Sequence, residues 1–467
     1  MKKLLIIMFA IMAFAAVTVC AVSGDGTEES PYLITNQEEL LLVSDFPDSC
    51  FRLDNDIALE GKWTPLCTYG EDFTGVFDGN GYTISNLDLA SFYYNGLFKT
   101  NSGTIKNLNV FAIDEGISIS EYYNGNWYCG IIAAENNGKI SGCRVNGKIN
   151  IKNTFIGYTG NRNSSIMYLG AAVGENKGSV EYITSNMDIS ADGFYLEYIG
   201  GIVGLNSEKA TVAYSSAHGT IGDSYYRACG GITGNNCGSI NNSYFMGTIG
   251  RGSGGIAYSC TGTIENCYAV AQPINSSDYR GLVYDYTTGT SVTNSFYDQT
   301  VSKATDTGRG MPKSTLAMKM KRTFTNANWD FENVWGIDKD INDGYPYLLW
   351  EYRTENNQPR YTLNSIQIKN LSGEVITEIP EKDFYAEISV TKNDNSKDKD
   401  LLIIAAYDNA DKLIDIKYMS GTYYQNQTVN FGTMINQTDA KIGTIKSFIW
   451  NNISEIIPLS NIVKTEK

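Results

Sequence analysis

The sequence predicts an all-β chain: a right-handed parallel β-helix solenoid with capping segments, followed by a small immunoglobulin-like β sandwich. Three observations predict it. A four-residue phrase led by Ile or Val recurs eight times, a Gly-hydrophobic signature recurs beside it, and the pattern changes to alternating strands after residue 360. The phrase reads Ile84-Ser85-Asn86-Leu87, Ile105-Lys106-Asn107-Leu108, Ile140-Ser141-Gly142-Cys143 and Val180-Glu181-Tyr182-Ile183. It continues as Val212-Ala213-Tyr214-Ser215, Ile240-Asn241-Asn242-Ser243, Ile264-Glu265-Asn266-Cys267 and Val292-Thr293-Asn294-Ser295. Successive copies start 21, 35, 40, 32, 28, 24 and 28 residues apart. A repeat of this length is one supersecondary unit stacked on copies of itself. The unit is β-branched and Gly-rich, so it reads as a β coil.

Taken in order, residues 1–21 read as a secretory signal. Lys2 and Lys3 precede an apolar run from Leu4 to Val19, with small-residue cleavage after Ala21. Losing Lys2 and Lys3 takes the formal charge from −15 to −17. A surface this acidic argues against nucleic acid and anionic membranes as partners. No later run reaches a membrane-spanning length. A monomer, exported or on the cell surface, is expected.

The solenoid is expected over 25–350. Its N-terminal cap, 25–75, includes a short helix near 36–44, signalled by Thr35 and Glu38 ahead of Leu40-Leu41-Leu42-Val43. The coils follow to about 300. The second signature reads Gly96-Leu-Phe, Gly130-Ile-Ile-Ala, Ala171-Ala-Val-Gly174, Gly201-Ile-Val-Gly204, Gly231-Ile-Thr-Gly234, Gly255-Ile-Ala and Gly281-Leu-Val. A Gly at a strand edge permits a tight corner or close backbone approach. A third signal, Gly147-Lys-Ile149, Gly219-Thr-Ile221 and Gly247-Thr-Ile249, makes three strands per turn. Asn86, Asn107, Asn242, Asn266 and Asn294 share one place in the repeat and are expected to form an amide ladder. In the C-terminal cap, 301–350, Ser314 to Ala327 is expected to hold a helix, and Trp329, Trp335 and Tyr347 to cover the last coil. A linker at 351–359 leads to the sandwich at 360–467, where about seven short strands alternate in hydrophobicity.

The strings Gly201-Ile-Val-Gly204 and Gly231-Ile-Thr-Gly234 resemble the GLUG repeat of bacterial surface adhesins and exported proteases. The resemblance covers roughly 75–300, with Lys99, Ala133 and Tyr258 in place of the second Gly. It implies a cell-surface or adhesion role and carries no catalytic residues to transfer. The segments after the repeats also resemble closing and C-terminal β modules of exported Gram-positive proteins.

Chemistry-bearing residues are few. Glu135 and Glu175 stand five places before their lead residues in adjacent turns, the arrangement a polysaccharide lyase or hydrolase would need. The neighbouring turns place Thr100, Leu205, Asn235 and Ser259 there, so solvated corner residues are the plainer reading. His218, the sole histidine, has no motif partner. Asp338, Asp340 and Asn342 have calcium-loop spacing, but Gly344 comes one place late. No metal site or cofactor is expected. Cys143 and Cys267 share a column with Leu, Ile and Ser, which predicts buried free thiols; Cys50–Cys67 and Cys237–Cys260 are the pairs that would link if any did.

Aromatics are the stronger pattern. Before the Gly corners come Tyr93-Tyr94, Tyr122-Tyr123, Trp127-Tyr128, Phe194-Tyr195, Tyr225-Tyr226 and Tyr279. Strand alternation turns one of each pair outward. Tyr94, Tyr123, Trp127, Tyr195 and Tyr226 are expected to line one exposed flank that binds a glycan or a cell-surface protein. A polysaccharide-degrading enzyme and a spacer without a ligand site are the alternatives.

Overall fold

A computed structural model describes residues 22–90, 93–113, 116–119, 126–152, 166–192, 196–226, 228–274, 278–287, 289–304, 309–339, 341–352, 361–393, 399–409, 412–424, 427–437, 441–450 and 463–466. The signal segment, Tyr123 and Tyr195 lie outside the described residues.

Each coil contributes a strand to three long parallel sheets. One coil runs through Ala133–Asn136, Lys139–Lys152 and Ile166–Gly170, and the next through Val173–Asn176, Ser179–Asp192 and Leu196–Gly200. For clarity these are the second, first and third sheets. Seven of the eight lead residues stand in register, with Phe77 as a further rung: Phe77, Ile105, Ile140, Val180, Val212, Ile240, Ile264 and Val292 pair rung to rung on the first sheet. All are fully buried except Val292, which packs against the same core at half burial. Ile84 lies apart from this column, pairing with Ile57 and Val110.

The residue two places after each lead is a left-handed corner. φ is +59° at Asn86, +54° at Asn107, +67° at Gly142, +55° at Tyr182, +49° at Tyr214, +45° at Asn242, +52° at Asn266 and +48° at Asn294. Asn and Gly tolerate that region better than other residues, so the phrase repeats because the corner repeats. These asparagines therefore do not form the amide ladder. The corner also explains the next residue: Ser215, Ser243 and Ser295 each donate to the carbonyl two residues back, at 2.8, 2.8 and 2.7 Å. Their hydroxyls accept the backbone N–H of Ile183, Ser215 and Cys267 one rung earlier. Cys143 and Cys267 stand in as weaker donors, to Ser141 O and Glu265 O.

The ladder runs elsewhere, one strand earlier. Asn101 donates to Asn136 at 2.7 Å, Asn136 to Asn176 at 2.8 Å, Asn176 to Asn206 at 2.9 Å and Asn206 to Asn236 at 2.8 Å. All five are fully buried at the end of the second sheet. Asn236 ends the row on Cys260 Sγ at 3.3 Å. Each amide also reaches a carbonyl at the adjoining corner, such as Asn136 to Ser179 O at 3.2 Å. A buried polar row is stabilising only when its members are satisfied, and these are.

The N-terminal helix forms over Gln37–Leu40 and Leu42–Asp45, but its cap is Asn36. Asn36 accepts Glu39 N at 3.0 Å, and Glu39 reaches back to Thr35 N at 2.7 Å, one register from the expected Thr35–Glu38 pair. Leu40 and Val43 are buried in the solenoid core. All eight described cysteines are free thiols, so neither Cys50–Cys67 nor Cys237–Cys260 is bonded.

The C-terminal cap departs from expectation. It holds short helices at Thr315–Met318 and Lys321–Thr325, then runs back along the outer face of the first sheet. Trp329 Nε1 donates to Asn294 O at 2.8 Å, Trp335 Nε1 to Asn242 Oδ1 at 3.3 Å, and Trp350 meets the Tyr182 ring edge-on at 5.6 Å. These three contacts fall two rungs apart along the left-handed corner. Glu351 accepts from Thr184 Oγ1 at 3.2 Å, Tyr244 OH at 3.2 Å and Ser216 Oγ, while its carbonyl takes Arg144 at 3.1 Å. The segment thus straps the coils from Phe296 to Arg144, five rungs or about 24 Å. Its aromatics share a core with Tyr244, Tyr268 and Phe296. Asn342 of the calcium-like spacing donates to Tyr268 OH and Pro346 O, a structural turn, while Asp340 lies outside the described residues.

Two four-stranded antiparallel sheets follow. One joins Val375–Ile376, Tyr361–Lys369, Phe384–Lys392 and Thr428–Ile435; the other joins Leu413–Thr422, Lys399–Asp408, Ile442–Trp450 and Val463–Glu466. Ile388 and Val390 from the first and Leu402, Ile404 and Ile445 from the second share one core.

Candidate binding flank

The glycines of the second signature build the corner on which the flank stands. Register places Gly174, Gly204 and Gly234 in one column with Lys99, Ala134, Tyr258 and Tyr284. The Gly204 α-carbon faces the backbone of Tyr168 and Leu169; a Cβ there would lie 2.6 Å from each. Gly174 faces Tyr128–Cys129, and Gly234 faces Tyr198–Ile199, in the same way. Each glycine lets the second sheet press against the third-sheet strand of an earlier turn. Where the column changes to Tyr258, the corner is filled by a ring instead. The expected exception at Ala133 belongs one place on, at Ala134.

Outward from that corner stands a row of tyrosines on the third sheet. Tyr94, Tyr128, Tyr168 and Tyr198 pair in register. Their ring centroids lie 5.5, 5.5 and 5.4 Å apart, with interplanar angles of 12°, 15° and 5°. All four are half-buried. The column continues with Ala228, which ends the row, and Tyr198 meets Tyr258 edge-on at 6.0 Å. Tyr258 and Tyr284 then stack at 5.3 Å.

Stacking on one another consumes the ring faces, so the row offers ring edges and hydroxyls rather than flat platforms. Burial raises the hydroxyl pKa of Tyr94, Tyr128 and Tyr198, and pushes that of Tyr168 up to about 12. The nearby carboxylates of Glu135 and Glu175 act on Tyr94 and Tyr128 in the same direction. The hydroxyls therefore stay protonated at ordinary pH, each both donor and acceptor.

Glu135 and Glu175 lie directly opposite in register on the second sheet, as their spacing implied. Lys177 spans them, with Nζ 2.8 Å from Glu135 Oε1 and 3.1 Å from Glu175 Oε2. Ser207 Oγ donates to Glu175 at 2.8 Å. Burial lowers the Lys177 pKa, but the hydrogen bonds and charges of the two carboxylates outweigh it and the net shift is upward. One ammonium thus bridges the two carboxylates and offsets half of their charge.

Of the residues expected on the flank, Tyr94 stands in the row. Trp127 does not: it is fully buried, and Tyr128 is the outward member of that dipeptide. The Tyr226 backbone ends Ser216–Tyr226 opposite Arg251, away from the row's register. Tyr168 has no aromatic neighbour in sequence, but the repeat would have found it, since Tyr128, Tyr168 and Tyr198 stand six places before Ala134, Gly174 and Gly204 respectively. His218 lies under the strap, its ring edge-on to Tyr244 at 5.5 Å. A groove of about 330 Å³ on the first sheet is lined by Phe111, Asn146, Lys148, Asn186 and Asp188 and includes no expected site residue. Among the described residues no group of His, Cys, Asp and Glu is placed to hold a metal ion, and no helix is long and apolar enough to cross a membrane.

No family model matches the chain. A "Putative Gly-rich membrane protein" of Evansella cellulosilytica is 37% identical over 121 residues, covering 23% of this chain and 14% of the relative. The chain therefore matches about one seventh of that protein's length. Among solved structures, the enzymatically active domain of bacteriophage CBA120 tailspike protein 4 aligns over 92% of this chain and 66% of that one, at 11% identity and a TM-score of 0.19. A score that low does not bear on function.

Proposed function

We propose that this is an exported or cell-surface bacterial protein that acts by binding a glycan along the tyrosine flank. The observation that carries the reading is the continuous row Tyr94–Tyr128–Tyr168–Tyr198 beside the Glu135–Lys177–Glu175 cluster. Hydroxyls repeating at nearly constant spacing, next to fixed charged groups, match a ligand that itself repeats hydroxyl groups along an extended chain. Several weak contacts engaged together give useful affinity without a deep pocket. The GLUG-like strings at Gly201–Gly204 and Gly231–Gly234 support a surface role, as does the signal-like N-terminus. The test is retention of the exported chain on immobilised polysaccharides and cell-wall glycans. Retention by at least one glycan is expected, lost on replacing Tyr128 and Tyr168 together with Ala. Equal retention of parent and variant, with both folded, would place the site elsewhere.

A further inference from the structure

The sandwich buries a pair of oppositely charged side chains, one from each sheet. Lys392 ends the strand Phe384–Lys392 of one sheet, and Asp400 stands in Lys399–Asp408 of the other. Both are fully buried, with Lys392 Nζ 3.7 Å from Asp400 Oδ2. That separation places the amine beside the carboxyl group whose Cγ it would attack. Tyr361, opposite Lys392 in register, donates its hydroxyl to Asp400 Oδ2. Its ring centroid lies 5.3 Å from Lys392 Nζ. Tyr423 closes the other side, edge-on to Tyr361 at 6.1 Å.

We infer that Lys392 and Asp400 condense to an intramolecular amide that ties the two sheets together. In water an amine and a carboxylic acid remain apart chiefly because the ammonium and carboxylate ions are well solvated. Full burial denies both ions that solvation, and amide formation needs only the amine as nucleophile and the acid as electrophile held side by side. The Lys392 amine attacks Asp400 Cγ. The tyrosine hydroxyl on Oδ2 stabilises the charge that gathers there as the tetrahedral centre forms. The Nζ–Cγ bond forms and the Cγ–Oδ1 bond breaks. Oδ1 leaves as water, carrying the proton of the acid and one from the amine. No oxidant, metal or added reactant takes part. The linkage replaces a buried ion pair, costly to desolvate, with a neutral amide at the end of the sandwich core.

The test is the mass of the purified parent chain, reduced and denatured. It should be about 18 Da lighter than its sequence, one water, and digestion should yield a branched peptide joining Lys392 to Asp400. Lys392→Arg should have the full sequence mass. Asp400→Asn should lose about 17 Da, one ammonia, through the same bond. A parent of full sequence mass, with the Lys392 amine open to acetylation after unfolding, would overturn the inference. So would loss of water that persists in Lys392→Arg.

Discussion

Replacing Asn176 with Ala should destabilise the solenoid far more than replacing Asn266 with Gly, although both asparagines recur with the repeat. Asn176 is fully buried and makes four hydrogen bonds. It donates to Asn206 Oδ1 at 2.9 Å and Thr211 O at 3.1 Å, and accepts from Asn136 Nδ2 at 2.8 Å and Gly178 N at 3.2 Å. Gly178 N keeps a second acceptor in Asn136 O at 3.1 Å, and Asn136 keeps two carbonyls, so those losses are partial. Asn206 Oδ1 loses its amide donor within the core. At about 1 kcal/mol per hydrogen bond, with more for a buried group left bare, the cost is about 3–4 kcal/mol. Asn266 holds φ at +52°, and its buried Oδ1 has no hydrogen-bond partner. Glycine adopts that corner freely and loses only chain entropy, so the net change should stay within about 0.5 kcal/mol. Urea unfolding, followed by tryptophan fluorescence of the solenoid and strap, reads the difference. Equal midpoints for Asn176→Ala and the parent, or a larger loss for Asn266→Gly, would refute the assignment of ladder and corner.

Other consequences can be checked as directly. Burial pushes the thiols of Cys129, Cys143 and Cys267 up to about 12 and Cys67 to about 11, so iodoacetamide at pH 8 should leave these four unmodified in the folded chain and reach all eight described cysteines after unfolding without reductant. Burial lowers the His218 pKa, with Glu351 opposing, so the unfolded state binds the proton more readily. Its stabilising contribution is then present above the unfolded value near 6.5 and lost as pH falls through the lower folded value; His218→Gln should flatten the decline in melting temperature between about pH 7 and 5. Trp350→Ala should loosen the strap's far end, seen as faster amide exchange at 341–352 while the Ile140–Val180–Val212 column keeps its protection.

The coil column was legible because one physical constraint wrote it repeatedly. Ile or Val fills the core and the residue two places on turns a left-handed corner, so both leave a type-specific trace. The same regularity misled about the ladder. Asparagine suits a left-handed corner and a buried amide row equally, and spacing alone cannot separate Asn242 from Asn236. The flank was legible as a stripe but not in its parity: Trp127 and Tyr128 differ by one residue, which exchanges the faces of the strand. The strap's path was not legible, because it depends on single contacts, Trp329 to Asn294 and Trp335 to Asn242, that no periodicity marks. Lys392 and Asp400 carry no periodicity that marks them as partners, and only the burial of both strand ends shows that they meet.

The binding flank is the central claim, and its tyrosine hydroxyls allow a clean measurement. Replacing Tyr94, Tyr128, Tyr168 and Tyr198 together with Phe keeps the stacked rings and removes only the four hydroxyls. Calorimetric titration with a glycan that the parent retains should then show affinity weakened at least tenfold, about 1.4 kcal/mol, with the melting temperature close to the parent's. A four-fold Phe variant that binds that glycan with the parent's affinity would show that the row serves the fold alone.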